Sequence, residues 1–326
     1  GEDSIYEEVD AVILDVNNDN KNDLLVANGG NEYRLTSKYN RTLAYLGDGK
    51  LMNKNDIIFD SVQLTASCIL PGDFNNDGYE DVFIGARANP WNYGEIPKSY
   101  LFINKQDGNF AQAEKDVSDI LSTIGFVKNG QWIDIDKDGD QDLILAAEWS
   151  ELIILLNENN TFKTHRIGDK KGWWNFVKVQ DYDNDGDLDL VLNNVDTLAS
   201  IYENNSDRPE NSVELRLFRV PQNELSGLTF EAVMENGSQF KEAYFVRGYA
   251  STVEKRLFFY STSDNPFKHI LIHFPDSTVR KVSITKSSHN IINLREDLGY
   301  PEIEIEEVKV NLLFSDVTKK YRLDAA

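Results

Sequence analysis

Residues 73–86 read DFNNDGYEDVFIGA, an acidic nonapeptide that runs directly into an aliphatic stretch, and the chain carries this pattern four times. The other copies are DVNNDNKNDLLVAN from Asp15, DIDKDGDQDLILAA from Asp134 and DYDNDGDLDLVLNN from Asp181. Successive copies begin 58, 61 and 47 residues apart, and every copy has Asp or Asn at positions 1, 3, 5 and 9. Self-similarity at such a period marks a repeat architecture, in which each unit buries its faces against its neighbours.

Oxygen donors at alternate positions of a curled loop are what a hard cation such as Ca2+ requires, since it takes six to eight oxygen ligands. The side-chain donors are Asp15, Asn17, Asp19 and Asp23 in the first copy, and Asp73, Asn75, Asp77 and Asp81 in the second. Asp134, Asp136, Asp138 and Asp142 form the third set, and Asp181, Asp183, Asp185 and Asp189 the fourth. Position 7 would offer only its backbone carbonyl, which explains its variety: Lys21, Tyr79, Asp140 and Asp187. Position 6 is Gly78, Gly139 and Gly186, with Asn20 in the first copy, as a left-handed turn prefers. Clustered Asp, Asn and Gly also make plain turns, but four copies in one register argue for more. Without a cation, carboxylates about 4 Å apart repel by about 1 kcal/mol per pair even in bulk water. The sequence therefore predicts up to four bound Ca2+ ions.

An EF-hand would need a bidentate Glu at position 12 and flanking helices. Position 12 is Val26, Ile84, Leu145 and Leu192, and the flanking segments are rich in strand formers, so each loop is expected to join two strands. Downstream of each lies a second hairpin-like stretch: TLAYLGDGKL (42–51), SYLFINKQDGNF (99–110), ELIILLNENNTF (151–162) and SIYENN (200–205). Four antiparallel strands per unit is the make-up of a propeller blade. The expected fold is all-β, with β-propeller-type blades over residues 1–205.

These repeats resemble the FG-GAP/VCBS family, the calcium-loop blades also found in integrin α-subunit propellers. The resemblance implies a β-propeller with calcium loops on the blade hairpins, forming either an unusually small ring or part of a larger one. Beyond the polar stretch near residue 205, a smaller β-rich domain is expected over residues 206–300. Its RGYAS (247–251), the strand containing LFF, and ILIHFPDSTVRKV (270–282) resemble the ASPIC/UnbV domain, although Phe274 and Ser277 stand where that family usually has Trp and Gly. Residues 301–326 read as a linker and the start of a further repeat, because LLFSDVTKKYRL (312–323) resembles the FxDVTxxxGL opening of a new blade set. With the missing initiator Met at Gly1, this suggests a fragment of a large bacterial surface protein with other domains in the parent chain.

Composition narrows the function. The formal charge of −22 repels phosphate backbones and anionic lipid heads, arguing against nucleic-acid and membrane-surface partners. No apolar run approaches the roughly 18–20 residues of a membrane span, and no basic-then-apolar signal opens the chain. The single Cys68 excludes an internal disulfide and a cysteine zinc site and reads as core filler. His165, His269, His273 and His289 lack zinc-protease spacing.

Exposed aromatic rings beside polar groups make stacking platforms for sugars or partner side chains. The candidates are Arg87, Trp91, Asn92 and Tyr93 in the long loop GARANPWNYGEIPKSY (85–100), Trp173 and Trp174 in GWW, and Trp149 after the third acidic loop. Trp132, Trp149 and Trp173 read mainly as blade packing. The leading expectation is a calcium-stabilised extracellular, cell-surface or periplasmic binding and adhesion module for a glycan or a surface protein, with structural metals and no catalytic constellation. Alternatives are a calcium-dependent polysaccharide lyase-type propeller, using Tyr93, Arg87 or His165, and an architectural spacer.

Overall fold

The computed structural model describes residues 5–298 apart from residues 20, 49–51, 56–58, 60–61, 184–186, 196–197, 206–210, 218–219, 222–224, 226, 244–254, 285–288 and 295–297. The RGYAS segment, the polar stretch at 206–210, Asn20, Asp185, Gly186 and the 301–326 tail therefore lie outside the described residues.

The chain is nearly all β, as expected. Strands β1 (Glu8–Leu14), β2 (Asp23–Asn28), β3 (Leu43–Gly47) and β4 (Met52–Asn55) form an antiparallel meander. Strands β5 (Thr65–Gly72), β6 (Asp81–Ala88), β7 (Tyr100–Asn104) and β8 (Phe110–Gln112) repeat it, followed by a short helix α1 (Lys115–Leu121). A third sheet holds β9 (Phe126–Ile133), β10 (Asp142–Asn157), β11 (Phe162–Gln180), β12 (Asp189–Asn194) and β13 (Ser200–Tyr202). Each acidic loop joins two strands, at β1–β2, β5–β6, β9–β10 and β11–β12, rather than two helices.

Strands β10 and β11 are each two strands in one. A straight strand the length of β10 would span about 50 Å, yet the Asn157 N–H donates to Asp142 Oδ1 over 2.7 Å, so the strand doubles back. The reversal falls at Trp149, whose φ of 55° is left-handed. The first part of β11 pairs with Leu152–Asn157, and its last part, Trp174–Gln180, pairs with β12. Two successive meanders thus share one sheet. The fourth contributes three described strands instead of the expected four, because the next strand, β14 (Asn211–Arg216), pairs elsewhere.

The aliphatic runs after the second and third loops are buried on both faces, and their alternation feeds two cores. Val82 and Ile84 pack with Leu25, Ala44 and Phe102 of one core, whereas Phe83 joins Leu101, Trp132 and Leu143 in the next. Leu143 and Leu145 likewise face back while Ile144 and Ala146 face forward, toward Val177 and Leu192. At about 1.5–3 kcal/mol for each fully buried aliphatic side chain, this blade-on-blade packing is the main stabilising term.

A second group of strands follows. Strand β14 lies between β17 (Arg256–Ser261) and β20 (His289–Asn293), with the β14–β20 pair parallel. The order β16 (Ser238–Glu242), β15 (Thr229–Met234), β18 (Phe267–His273), β19 (Val279–Ser283) forms the other sheet. The two sheets share a core in which Val213, Leu215 and Phe259 meet Phe230, Ala232, Ile270 and Ile272.

Candidate metal centres and the opposite aromatic face

The Asp at position 9 makes the same two bonds in all four copies. Its Oδ2 accepts the N–H of position 2: Val16 to Asp23, Phe74 to Asp81, Ile135 to Asp142 and Tyr182 to Asp189, at 2.8–3.1 Å. Its Oδ1 accepts an N–H from the end of the third strand or just beyond it, from Gly47, Asn104, Asn157 and Asn204 respectively, at 2.7–2.8 Å. Position 9 is thus a brace between the loop and the adjoining hairpin, whatever else it binds. The recurring Asn at 104, 157 and 204 was a readable signal of this role, but only in the light of the fold.

Positions 1, 3 and 5 curl the loop. Asp77 N–H donates to Asp73 Oδ1 and Asn75 Oδ1, Gly78 N–H to Asp73 Oδ2, and Tyr79 N–H to Asp77 Oδ1, all at 2.9–3.1 Å. The first loop matches, with Asp19 N–H on Asp15 and Asn17 and Lys21 N–H on Asp19. In the third, Gly139 N–H reaches Asp134 and Asp140 N–H reaches Asp138. Gly78 and Gly139 take the left-handed φ expected of position 6, at 87° and 101°. Position 4 is left-handed too, at Asn18, Asn76 and Lys137, which the sequence reading did not foresee.

Neighbouring loops are also linked. Asn76 Nδ2, at position 4 of the second loop, donates to Asp140 at position 7 of the third over 2.7 Å. Lys137, at position 4 of the third, pairs with Asp187 at position 7 of the fourth over 3.3 Å, with both side chains about 3% exposed. The position-7 side chains of these two loops therefore act between loops.

The donor sets suit a hard cation. Carboxylate oxygens of Asp134, Asp136 and Asp138 lie within 4.8 Å of one another, as do those of Asp181, Asp183 and Asp189. Asp134 Oδ1 is buried without a hydrogen-bond partner. Burial is the first cause pushing Asp73 up to about 7, Asp81 and Asp142 up to about 8 and Asp138 up to about 6, with neighbouring carboxylates adding to it. Asp23 and Asp134 move in the same direction for the same leading reason. A divalent ion would reverse these shifts by favouring the charged carboxylates.

Antiparallel order puts the β2–β3 and β6–β7 loops and the Trp149 turn at the end opposite the metal loops. There Trp91 and Tyr93 are 61% and 73% exposed, and Trp91 holds a left-handed φ of 67°. A bulky residue in that region is strained, and such strain concentrates at ligand-binding sites. The Arg34 guanidinium stacks 5.2 Å from the Trp91 ring centroid. Arg87 Nε pairs with the buried Glu148 over 3.1 Å, and Asn92 is tied to Glu95 in its own loop.

Two tryptophans depart from expectation. Trp174, a candidate stacking surface, is buried among Ile154, Val177 and Leu192, and its Nε1 donates to Ser150 O over 2.9 Å. Trp149, expected to pack between blades, is 60% exposed and stands beside Phe126 and Trp173 at ring-centroid distances of 5.5 and 6.2 Å. The tight turn pushes it outward, while strand alternation turns Trp174 inward.

A family model described as FG-GAP-like repeat matches residues 15–84, 73–145 and 134–192. Each match runs from position 1 of one acidic loop to position 12 of the next. No curated protein sequence matches the chain. Among solved structures, one describing recognition of non-reducing terminal N-acetylglucosamine by an Agrocybe aegerita lectin is similar with a TM-score of 0.40 at 15% identity, over 62% of this chain. This chain spans 50% of that lectin chain. Structures of BBS1N in complex with ARL6DN, soaked with lead or mercury, are similar with a TM-score of 0.37 at 13% and 11% identity. They cover 86% and 87% of this chain and 83% of their own.

Proposed function

The chain belongs to the FG-GAP-like repeat family, and from that premise we propose that it is a calcium-stabilised binding module whose ligand face lies opposite its metal loops. The observation that carries the reading is the exposed pair Trp91 and Tyr93, with Trp91 held in a strained left-handed conformation. The partner is a glycan or a surface protein, met outside the cell, on its surface or in the periplasm. Planar rings beside guanidinium groups suit sugar faces and aromatic-rich protein patches alike. No helix among the described residues is long and apolar enough to cross a membrane.

Under this reading the four loops each hold a Ca2+ ion through positions 1, 3, 5 and 9 and the carbonyl at position 7. The ions are structural: they neutralise crowded carboxylates and stiffen the hairpins that carry the ligand loops. The proposed organisation is calcium-loop blades over 1–205, an ASPIC/UnbV-like unit over 206–300 and a following segment from 301 that leads to further domains of a longer protein. Support for the second unit's kinship comes from Ser277, whose φ of 65° is the left-handed conformation that the family's usual glycine would adopt freely.

A glycan array probed in calcium with the wild type and with Trp91→Ala/Tyr93→Ala tests the ligand face. Retained binding by the double variant would remove that face from the proposal, and a wild type that bound no glycan would leave the protein-partner form to be tested by pull-down with the same variant as control.

A further inference from the structure

The second group of strands sits on the metal loops. The Phe240 ring lies 3.4 Å from where a side chain would begin on Gly78, and a Cβ on Gly139 would come within 2.6 Å of Gln239 Nε2. Both glycines are position 6 of their loops, so strand β16 crosses the second and third loops where those loops carry no side chain. Gln141 Nε2 donates to Phe240 O over 3.5 Å. At the fourth loop, Arg256 Nη1 pairs with Asp181 at position 1 over 3.4 Å, and its Nε pairs with Glu214 over 3.0 Å.

This seam has an imbalance of charge. Among the described residues, six buried carboxylates, those of Asp134, Asp142, Asp181, Asp187, Asp189 and Glu214, meet four cations, Lys137, Lys241, Arg256 and Arg216, the last forked onto Glu214. Burying anionic groups without matching cations is costly unless something else neutralises them. The hydroxyl of Tyr260, a β17 residue only 1% exposed, is buried with no hydrogen-bond partner, and its neighbouring charges are Asp134, Asp187, Asp181 and Glu214. Asp134 Oδ1 is orphaned on the other side of the same seam. Buried polar atoms are nearly always satisfied, and these two, set among carboxylates, are groups that a hydrated cation would partner.

We infer that the ions of the third and fourth loops are shared with the second unit, which closes over them through Tyr260, Lys241 and Arg256, so that docking of this unit onto the blades depends on divalent metal. The inference rests on the calcium-loop reading above and extends it. A hydrated ion supplies partners for Tyr260 Oη and Asp134 Oδ1 and offsets the excess carboxylates. Without it, the carboxylates are solvated best when the second unit lifts away, and the folded sheets on each side have their own cores to persist with.

The test uses the full chain with a fluorophore pair on K163C and K281C, both exposed positions on opposite sides of the seam. Cys68 stays unlabelled, being buried with its thiol pushed up to about 12 by desolvation. Calcium is titrated into chelator-treated protein while heat, energy transfer and far-ultraviolet circular dichroism are recorded. The expected result is heat accompanied by a rise in transfer, with the strand signal retained in chelator. Tyr260→Phe should lower the calcium affinity about fivefold, the equivalent of one hydrogen bond. Heat with unchanged transfer would show an ion-independent seam, and loss of strand signal in chelator would replace undocking by global unfolding; either result overturns the inference. Unchanged affinity in Tyr260→Phe would remove that residue from the ion's surroundings and with it the shared site. Absence of any heat would bring down the calcium-loop reading together with the joint.

Discussion

The side-chain amide of Asn157 donates across a blade boundary to the carbonyl oxygen of Phe74, 2.7 Å away, while the backbone N–H of the same residue is held by Asp142. Asn204 repeats the arrangement one blade later, reaching Ile135 O over 3.3 Å and donating its N–H to Asp189. Each latch ties the end of a third strand to its own loop and to the loop before it. Asn157→Ala strands the Phe74 carbonyl in a buried place, and urea unfolding should register a loss of about 2 kcal/mol. A change of a few tenths would mean that the latch is dispensable.

Positions 9 and 3 of the loops should behave differently. Asp81→Ala removes the acceptor for two buried N–H groups and should cost about 3 kcal/mol or more whether calcium or chelator is present. Asp136→Asn leaves the brace of its own loop intact, so its melting temperature in chelator should match the wild type while the calcium-induced increase shrinks. Parallel melts of the two variants separate brace from ligand, and an Asp81→Ala defect fully rescued by calcium would contradict the division.

Removal of metal should destabilise the whole array. An ion present at a hundredfold excess over its Kd contributes about 2.7 kcal/mol per site, so chelation should lower the melting temperature by more than about 5 °C. Equal melts with calcium and with chelator would count against filled loops.

Gly72 is needed for a close approach rather than for its flexibility. A Cβ there would sit 2.5 Å from Trp132 Cδ1, and that ring is anchored by Nε1 donating to Leu70 O over 3.1 Å. Gly72→Ala should therefore cost about 1–3 kcal/mol through overpacking, with no effect on calcium affinity. Calorimetric titration alongside denaturation checks both halves.

The two kinds of tryptophan give a further contrast. Trp174→Ala should cost about 3–5 kcal/mol as a core truncation, whereas Trp91→Ala should stay within about 0.5 kcal/mol of wild type. A large stability loss at Trp91 would make it a packing residue and weaken the case for a ligand face.

The hairpin placement of the four loops was legible because it depends on local spacing: donors at odd positions, a glycine or asparagine at the sixth, and aliphatic residues at the twelfth where an EF-hand would have a carboxylate. The fate of individual aromatics was not. Trp173 and Trp174 are chain neighbours that strand alternation sends to opposite faces, and which face is inside depends on the register with β12. Likewise, nothing local to Asp142 reveals that Asn157 will return to it, since that needs β10 to reverse at Trp149.

Composition and periodicity alone determined that this chain is built from repeated β-hairpins able to gather carboxylates around hard cations, because the alternation of donors and the two-residue rhythm of strands are properties of the chain over a dozen residues. Only the tertiary structure decided what those loops face. Gly78 meets Phe240, Gly139 meets Gln239 and Asp181 meets Arg256, partners between about 75 and 162 residues away. Contacts at that distance are set by how whole sheets pack, and the packing depends on the summed burial of many side chains rather than on any motif.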